Sequence, residues 1–205
     1  MAFGKKQSII PVIIVALAFA LHRFTVFRPS DFWFCSYQML PGSNSKKDKQ
    51  MDHAEKARAL FLEGYNCAQA VMCAFDDLTG LDRETSARLA CSFGGGMGRM
   101  REVCGTVSGA LLVLGQLCGY SDPKDPQAKI DHYHLVQEFA RRFKEINGTI
   151  ICRELLSGVK TKPGNEPEAR TPEYYASRPC LRHVGEAAAI VDELLREQMQ
   201  DNSAQ

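Results

Sequence analysis

Apolar residues recur every three or four positions along most of the chain beyond residue 50, which is the period of an amphipathic helix. No stretch alternates between apolar and polar residues as a half-buried strand would. The sequence therefore predicts an all-α fold, a compact helical bundle of about five to six helices. The predicted helices are 52–76, 83–93 with Asp82 as N-cap, 103–119, 126–147, 152–156 and 180–198.

The third predicted helix, 103–119, is apolar on nearly every face, which indicates a central helix buried on all sides. Gly105 and Gly109 each lower its helix propensity by about 1 kcal/mol relative to alanine. We expect a neighbouring backbone to approach closely there, near Cys104. In the next helix the predicted buried stripe is Ile130, Tyr133, Val136, Phe139, Ala140, Phe143 and Ile146. The proline-containing segment 159–179 is predicted to be loop.

Residues 1–50 differ in character from residues 51–205, and we treat them as an N-terminal extension. They hold seven Lys/Arg and two Asp/Glu, and an apolar run from Ile9 to Leu21 follows two lysines. One interpretation is that translation starts at Met51, which makes the extension a translated leader and the protein cytoplasmic. Alternatively, residues 9–27 are a signal or membrane anchor, which makes the protein exported or membrane-anchored. We assign no role to Cys35, which lies in this extension.

Residues 51–205 are long enough for one domain with its own core. Subtracting the extension from the totals of 25 and 24 leaves 18 basic and 22 acidic residues, a net charge of −4. This balance argues against a nucleic-acid surface, which needs a basic stripe.

Four of the eight cysteines are candidates for chemistry. Cys104, Cys152 and Cys180 lie where predicted helices begin, and the partial positive charge there favours the reactive thiolate. Cys67 falls inside the first predicted helix, although Gly64-Tyr65-Asn66 could loosen the backbone before it. The chain contains no Cys-x-x-Cys, which excludes a thioredoxin-type motif, a zinc ribbon and ordinary covalent c-type haem. By default, Cys73, Cys91 and Cys118 are interpreted as buried apolar residues.

Several motifs occur in one order along the chain. They are Gly64-Tyr65-Asn66-Cys67-Ala68-Gln69-Ala70-Val71, Phe93-Gly94-Gly95-Gly96-Met97-Gly98, Cys104-Gly105-Thr106-Val107-Ser108-Gly109-Ala110, Cys152-Arg153-Glu154-Leu155 and Cys180. Together they resemble the redox-active family C_GCAxxG_C_C, named for four cysteines and a Cys-Gly-Ala-x-x-Gly element, over residues 53–197. Thr106 stands where that element has alanine. The family also resembles the helical iron–sulfur part of split-Soret cytochrome c, whose haem-binding motif is absent here.

The resemblance implies that Cys67, Cys104, Cys152 and Cys180 form a redox or metal site. Four thiolates suit an iron–sulfur cluster, tetrahedral zinc, or two dithiol pairs without metal. A zinc-containing interaction module beside a transporter is a further alternative, since family members are reported beside transporter genes. The expected partners are an unidentified redox protein and a second copy of the chain in a homodimer, with no nucleic acid. A membrane is a partner only if residues 9–27 are retained as an anchor.

Around the four cysteines, the candidate neighbours are Gly98, Gly105, Gly109 and His183. The glycine run 94–98 lacks the spacing of a nucleotide-binding fingerprint. We expect it to pass tightly beside Cys104 and to donate backbone N–H groups to that sulfur. His183 lies one helical turn after Cys180, where an exposed side chain is the more common case.

Overall fold

The computed structural model describes residues 52–203, and the expectations for residues 1–51 lie outside this range. The described part is all-α, as predicted. The helices are α1 (His53–Leu62), α2 (Cys67–Ala74), α3 (Asp76–Thr79), α4 (Arg83–Ala90), α5 (Gly105–Cys118), α6 (Pro126–Asn147), α7 (Cys152–Leu155), α8 (Pro172–Ser177) and α9 (Cys180–Ser203), with a 3₁₀ turn at Cys91–Phe93. Within this range no helix is long and apolar enough to cross a membrane.

The described residues form nine α-helices, more than the five to six expected, because one predicted helix is divided and short helices occupy the loops. The predicted helix 52–76 breaks after Leu62, where Gly64 adopts φ 109°. Asn66 then caps α2 by accepting from the backbone N–H groups of Ala68 and Gln69, while the Gln69 side chain accepts from the N–H of Asn66. This capping box starts a new helix at Cys67.

The central helix α5 is buried, as its apolar composition predicts. Val107, Ala110, Val113 and Leu114 are each at most 1% exposed. Helix α2 packs directly on α5, where a Cβ atom added to Gly109 would lie 2.5 Å from the backbone oxygen of Ala68. The close approach expected at the two glycines is thus present, and it joins the helix of Cys67 to the helix that follows Cys104.

The predicted buried stripe of α6 is partly wrong. Ile130, Tyr133 and Ile146 are 60%, 50% and 52% exposed, whereas Leu135, Phe139 and Phe143 form the buried face. Helix α6 lies at the edge of the described bundle and packs on α5 and α9. A helix that packs on one side buries a narrow stripe, so apolar residues flanking that stripe remain exposed.

The interpretation of three cysteines as buried apolar residues holds for Cys73, which is 0% exposed and free. Cys118 is also buried, at 8% exposed, but it is disulfide-bonded rather than a free thiol. Cys91 is exposed instead, because the 3₁₀ turn after α4 carries it to the surface.

Candidate redox site

All four candidate cysteines line one cavity of about 620 Å³. Cys67, Cys152 and Cys180 are the first residues of α2, α7 and α9, and Cys104 is the N-cap residue of α5. Cys67 therefore also begins a helix, which the sequence pattern did not predict. Cys104 and Cys152 are 5% and 6% exposed, and Cys67 and Cys180 are partly buried.

Backbone pairing joins the segments that precede Cys104 and Cys152. Val103 and Ile151 form an antiparallel bridge. The N–H of Cys104 donates to the oxygen of Ile150 at 2.8 Å, and the N–H of Cys152 donates to the oxygen of Glu102 at 2.6 Å. Two residues that are 48 positions apart are thereby held side by side.

A left-handed turn forms another wall of the cavity. All five residues from Gly95 to Arg99 have positive φ values, between 59° and 72°. The N–H of Gly95 donates to the sulfur of Cys67, and a Cβ atom added to Gly96 would lie 2.7 Å from Cys152 Cβ. The turn thus contacts Cys67 and Cys152, and the expectation that its N–H groups bind Cys104 is wrong.

The four thiols interact electrostatically in all six pairs. Cys67 donates a hydrogen bond to the Cys180 sulfur, which lowers the pKa of Cys180 although burial opposes this. The same hydrogen bond and burial raise the pKa of Cys67 well above its usual value. Burial is also the largest cause that raises the pKa of Cys152 and the pKa of Cys104, the latter to about 12. Cys180 is therefore the thiol that ionises most readily.

Four arginines and one glutamate also line the cavity. They are Arg99, Arg101, Arg170, Arg178 and Glu168. The wall is therefore strongly positive, which suits thiolates and other anions.

Arg101 and Arg170 each connect this positive wall to the rest of the site. Arg101 donates to the Cys152 sulfur and so opposes the rise in the pKa of that thiol. Arg170 donates to the oxygens of Phe61 and Tyr65 at 3.1 and 3.0 Å and stacks on the Phe61 ring. It thereby caps the C-terminal end of α1, beside the break after which a new helix begins at Cys67. Sequence periodicity does not identify Arg170, Arg178 or Glu168, because Arg170 and Glu168 lie in an irregular loop and Arg178 lies in the short connection between α8 and α9.

Residues 65–194 match the model of a protein family described as "Putative redox-active protein (C_GCAxxG_C_C)". The chain belongs to the C_GCAxxG_C_C family. The match includes the four candidate cysteines, the left-handed turn and the arginine wall. No curated protein and no solved structure matches the chain.

The departure from the C_GCAxxG_C_C element lies at the site itself. Thr106 is fully buried, and its Oγ1 lies 3.0 Å from Cys104 Sγ. Its hydroxyl and its backbone N–H both act to lower the pKa of Cys104, against the larger effect of burial. An alanine at this position would keep the N–H contact and remove the hydroxyl contact.

The other sequence-predicted neighbours occupy different places. Gly98 lines the cavity within the left-handed turn, and Gly105 leaves room for Cys67, whose Cβ would lie 3.1 Å from an added Cβ. Gly109 lies deeper, against Ala68. His183 lines the cavity but is only 3% exposed, so the expectation of an exposed histidine is wrong.

Burial determines the protonation state of His183. It lowers the pKa of His183 to about 4, and the nearby Arg182 charge acts in the same direction. The ring packs edge-on against Phe143 with the centroids 6.0 Å apart. His183 is therefore a neutral part of the cavity wall at physiological pH. Among residues 52–203, no group of three or more Cys, His, Asp or Glu side chains is arranged to hold a metal ion.

Proposed function

We propose that this protein is an electron-transfer or redox-sensing protein in which the four candidate cysteines bind an iron–sulfur cluster. The observation that carries the proposal is that Cys67, Cys104, Cys152 and Cys180, remote in sequence, all face one electropositive cavity. Cysteine thiolates are the usual protein ligands of such clusters.

The chemistry of the donor set fits this cofactor. Four thiolates together with a cluster carry net negative charge, and four arginines against one glutamate provide the opposite charge. The N-termini of α2, α5 and α9 add the partial positive charge of unpaired N–H groups. The pKa of Cys67 is raised by its hydrogen bond to Cys180 and by burial, and the pKa values of Cys104 and Cys152 are raised mainly by burial. Binding must therefore release protons, as it does at other thiolate sites.

The size of the cavity favours a cluster over a single zinc ion. A Zn–S bond of about 2.3 Å in a tetrahedron requires neighbouring sulfurs to be about 3.8 Å apart. A cavity of about 620 Å³ provides room for a group larger than one ion.

The cluster, when bound, would supply one-electron redox chemistry, and the surrounding residues would control its potential. Gly95 donates its N–H to the Cys67 sulfur, and Arg101 donates to the Cys152 sulfur. Thr106 contacts the Cys104 sulfur. Each donor stabilises added negative charge on sulfur, so together they favour the reduced state. Burial of Cys104 and Cys152 limits access of water to the centre.

The test is purification of the full chain without oxygen. We expect brown protein with visible absorption and with near-stoichiometric iron and sulfide. Cys104→Ser should lose most of the iron and colour. Cys73→Ala is the matched control, because Cys73 is buried in α2 outside the cavity lining and its loss should leave the cluster intact. Colourless protein without iron after reconstitution would refute the proposal, and elemental analysis would identify zinc directly.

A second candidate function, thiol–disulfide exchange without metal, is favoured by the contact between Cys67 and Cys180. Here the Cys180 thiolate attacks a partner's disulfide, forms a mixed disulfide and releases one partner thiolate, which takes up a proton. Cys67 then loses its proton and attacks Cys180, which forms the Cys67–Cys180 disulfide and releases the second partner thiol. Peptide mass mapping after mild oxidation would show this one linkage. A protein that is oxidised only at other cysteines would exclude this function.

A further inference from the structure

Glu168 makes ionic contacts with three arginines from two other segments of the chain. Its Oε2 lies 2.8 Å from Arg178 Nη2, and its Oε1 lies 3.6 Å from Arg99 Nη2 and 3.8 Å from Arg101 Nη2. The Arg178 side chain is only 4% exposed, and the Arg99 and Arg101 side chains are 15% and 17% exposed. Three guanidinium groups thus converge on a single carboxylate inside the cavity.

One carboxylate does not satisfy these three groups. Arg101 Nη2 is buried and has no hydrogen-bond partner among the described residues. Buried cationic donors that lack partners are costly, so their presence indicates a site for further acceptor oxygens. Burial acts to raise the pKa of Glu168, but the charges of Arg178 and Arg99 and the hydrogen bond from Arg178 lower it overall. Glu168 is therefore an anion here.

Glu168 belongs to an irregular segment rather than to a helix. The segment 156–171 joins α7 to α8, and every residue from Lys160 to Pro167 is exposed. Arg99 holds the middle of the segment by donating to the oxygens of Lys162 and Gly164, each at 2.9 Å. Arg99 therefore binds both the loop backbone and, more distantly, the Glu168 carboxylate.

We propose that Arg99, Arg101 and Arg178 form a binding subsite for a small oxyanion, a carboxylate or phosphate group, which Glu168 occupies until the ligand displaces it. Guanidinium groups pair with carboxylate and phosphate through two parallel hydrogen bonds, and Glu168 leaves donors available for this. Displacement would release the loop 160–168 from its ionic contacts. The subsite goes beyond the proposed redox function, because it holds whether the cysteines bind a cluster or form a disulfide.

The first test is isothermal titration calorimetry of the full chain with inorganic phosphate and, separately, with malonate. Glu168→Gln removes the competing charge, so it should bind at least one of the two anions about tenfold more tightly than the wild type, because a charge-assisted contact no longer has to be displaced. Glu166→Gln is the matched control in the same loop, since Glu166 is exposed and does not line the cavity. It should bind like the wild type. The two anions distinguish a phosphate ligand from a carboxylate ligand.

The second test uses the unmodified protein and follows loop release. Lys160 is exposed and followed by threonine, whereas Lys162 precedes a proline and resists trypsin. Phosphate or malonate should accelerate cleavage after Lys160, and chloride at equal ionic strength should not. Unchanged cleavage in both anions, together with equal anion affinity in Glu168→Gln and the wild type, would overturn the proposal.

Discussion

Replacing Gly109 by alanine tests whether the contact between α2 and α5 positions the cysteines. The added methyl group would lie 2.5 Å from the Ala68 backbone oxygen and 3.0 Å from its Cα. Ordinary contacts between such atoms are about 3.5 Å, so the two helices would have to separate by roughly 1 Å. Neither partner atom belongs to a flexible side chain that could move aside.

Two opposing effects determine how much Gly109→Ala changes the free energy of unfolding. Overpacking in a rigid interface typically costs about 1–3 kcal/mol. Alanine in place of glycine inside a helix stabilises the folded state by about 1 kcal/mol, because its helix propensity is higher. We therefore expect Gly109→Ala to lower the free energy of unfolding by up to about 2 kcal/mol. Because Ala68 follows Cys67 directly, the separation should also expose Cys104, now 5% exposed, to alkylating reagents.

Gly115 offers a control within the same helix. A Cβ added there meets nothing within 4 Å, so only the propensity gain applies. Gly115→Ala should raise the free energy of unfolding by about 1 kcal/mol and leave the alkylation of Cys104 unchanged. Urea unfolding followed by circular dichroism measures both free energies. If Gly109→Ala proves as stable as Gly115→Ala, the close contact between the helices is not what positions Cys67.

Two further predictions concern single side chains. If the proposed cluster binds, Thr106→Val should shift its reduction potential by about −40 mV in a potentiometric titration, because a hydrogen bond worth about 1 kcal/mol to the Cys104 sulfur is lost. Thr106→Ser should restore the potential. Burial acts to lower the pKa of His53, but the hydrogen bonds that its ring donates to the Asp192 and Asp77 carboxylates outweigh this and raise it from 6.5 to about 9. This raised pKa contributes up to about 3 kcal/mol to the free energy of unfolding. The contribution is fully present below pH 6.5 and is lost as the pH rises through about 9. His53→Gln should therefore remove this loss of stability at alkaline pH, as measured by urea unfolding.

Sequence patterns predict the ends of a helix well where the residues next to those ends determine them. Helix α6 runs from Pro126 to Asn147, as predicted, because Asp125 caps its start and Gly148 ends it. The break after Leu62 is different, since it is stabilised from a distance by Arg170, which caps the backbone oxygens of Phe61 and Tyr65. Periodicity within α1 and α2 contains no information about this arginine. The buried face of α6 likewise depends on which neighbours it meets.

The same distinction applies to the candidate site. Family resemblance and helix-start positions pointed to the four cysteines, and Gly98, Gly105 and His183, expected beside them, also line the cavity. The sequence patterns did not point to Arg170, Arg178 or Glu168. Arg178 lies two residues before Cys180, and this spacing was the one available signal for it. Glu168 and the bridge between Val103 and Ile151 are long-range contacts, which no periodic pattern encodes.

Backbone geometry, rather than the cysteine side chains, determines where the sulfurs lie. The left-handed turn places three non-glycine residues, Met97, Arg99 and Arg101, at φ values between 59° and 70°, each at a cost of about 1–2 kcal/mol. Backbone hydrogen bonds such as that from Arg101 N–H to the Gly95 oxygen, 3.3 Å long, hold the turn closed. This turn brings an N–H to Cys67, and Arg101 at its end donates to Cys152. Such strain is retained where a site requires it, so the turn belongs to the proposed redox site as much as the thiols do.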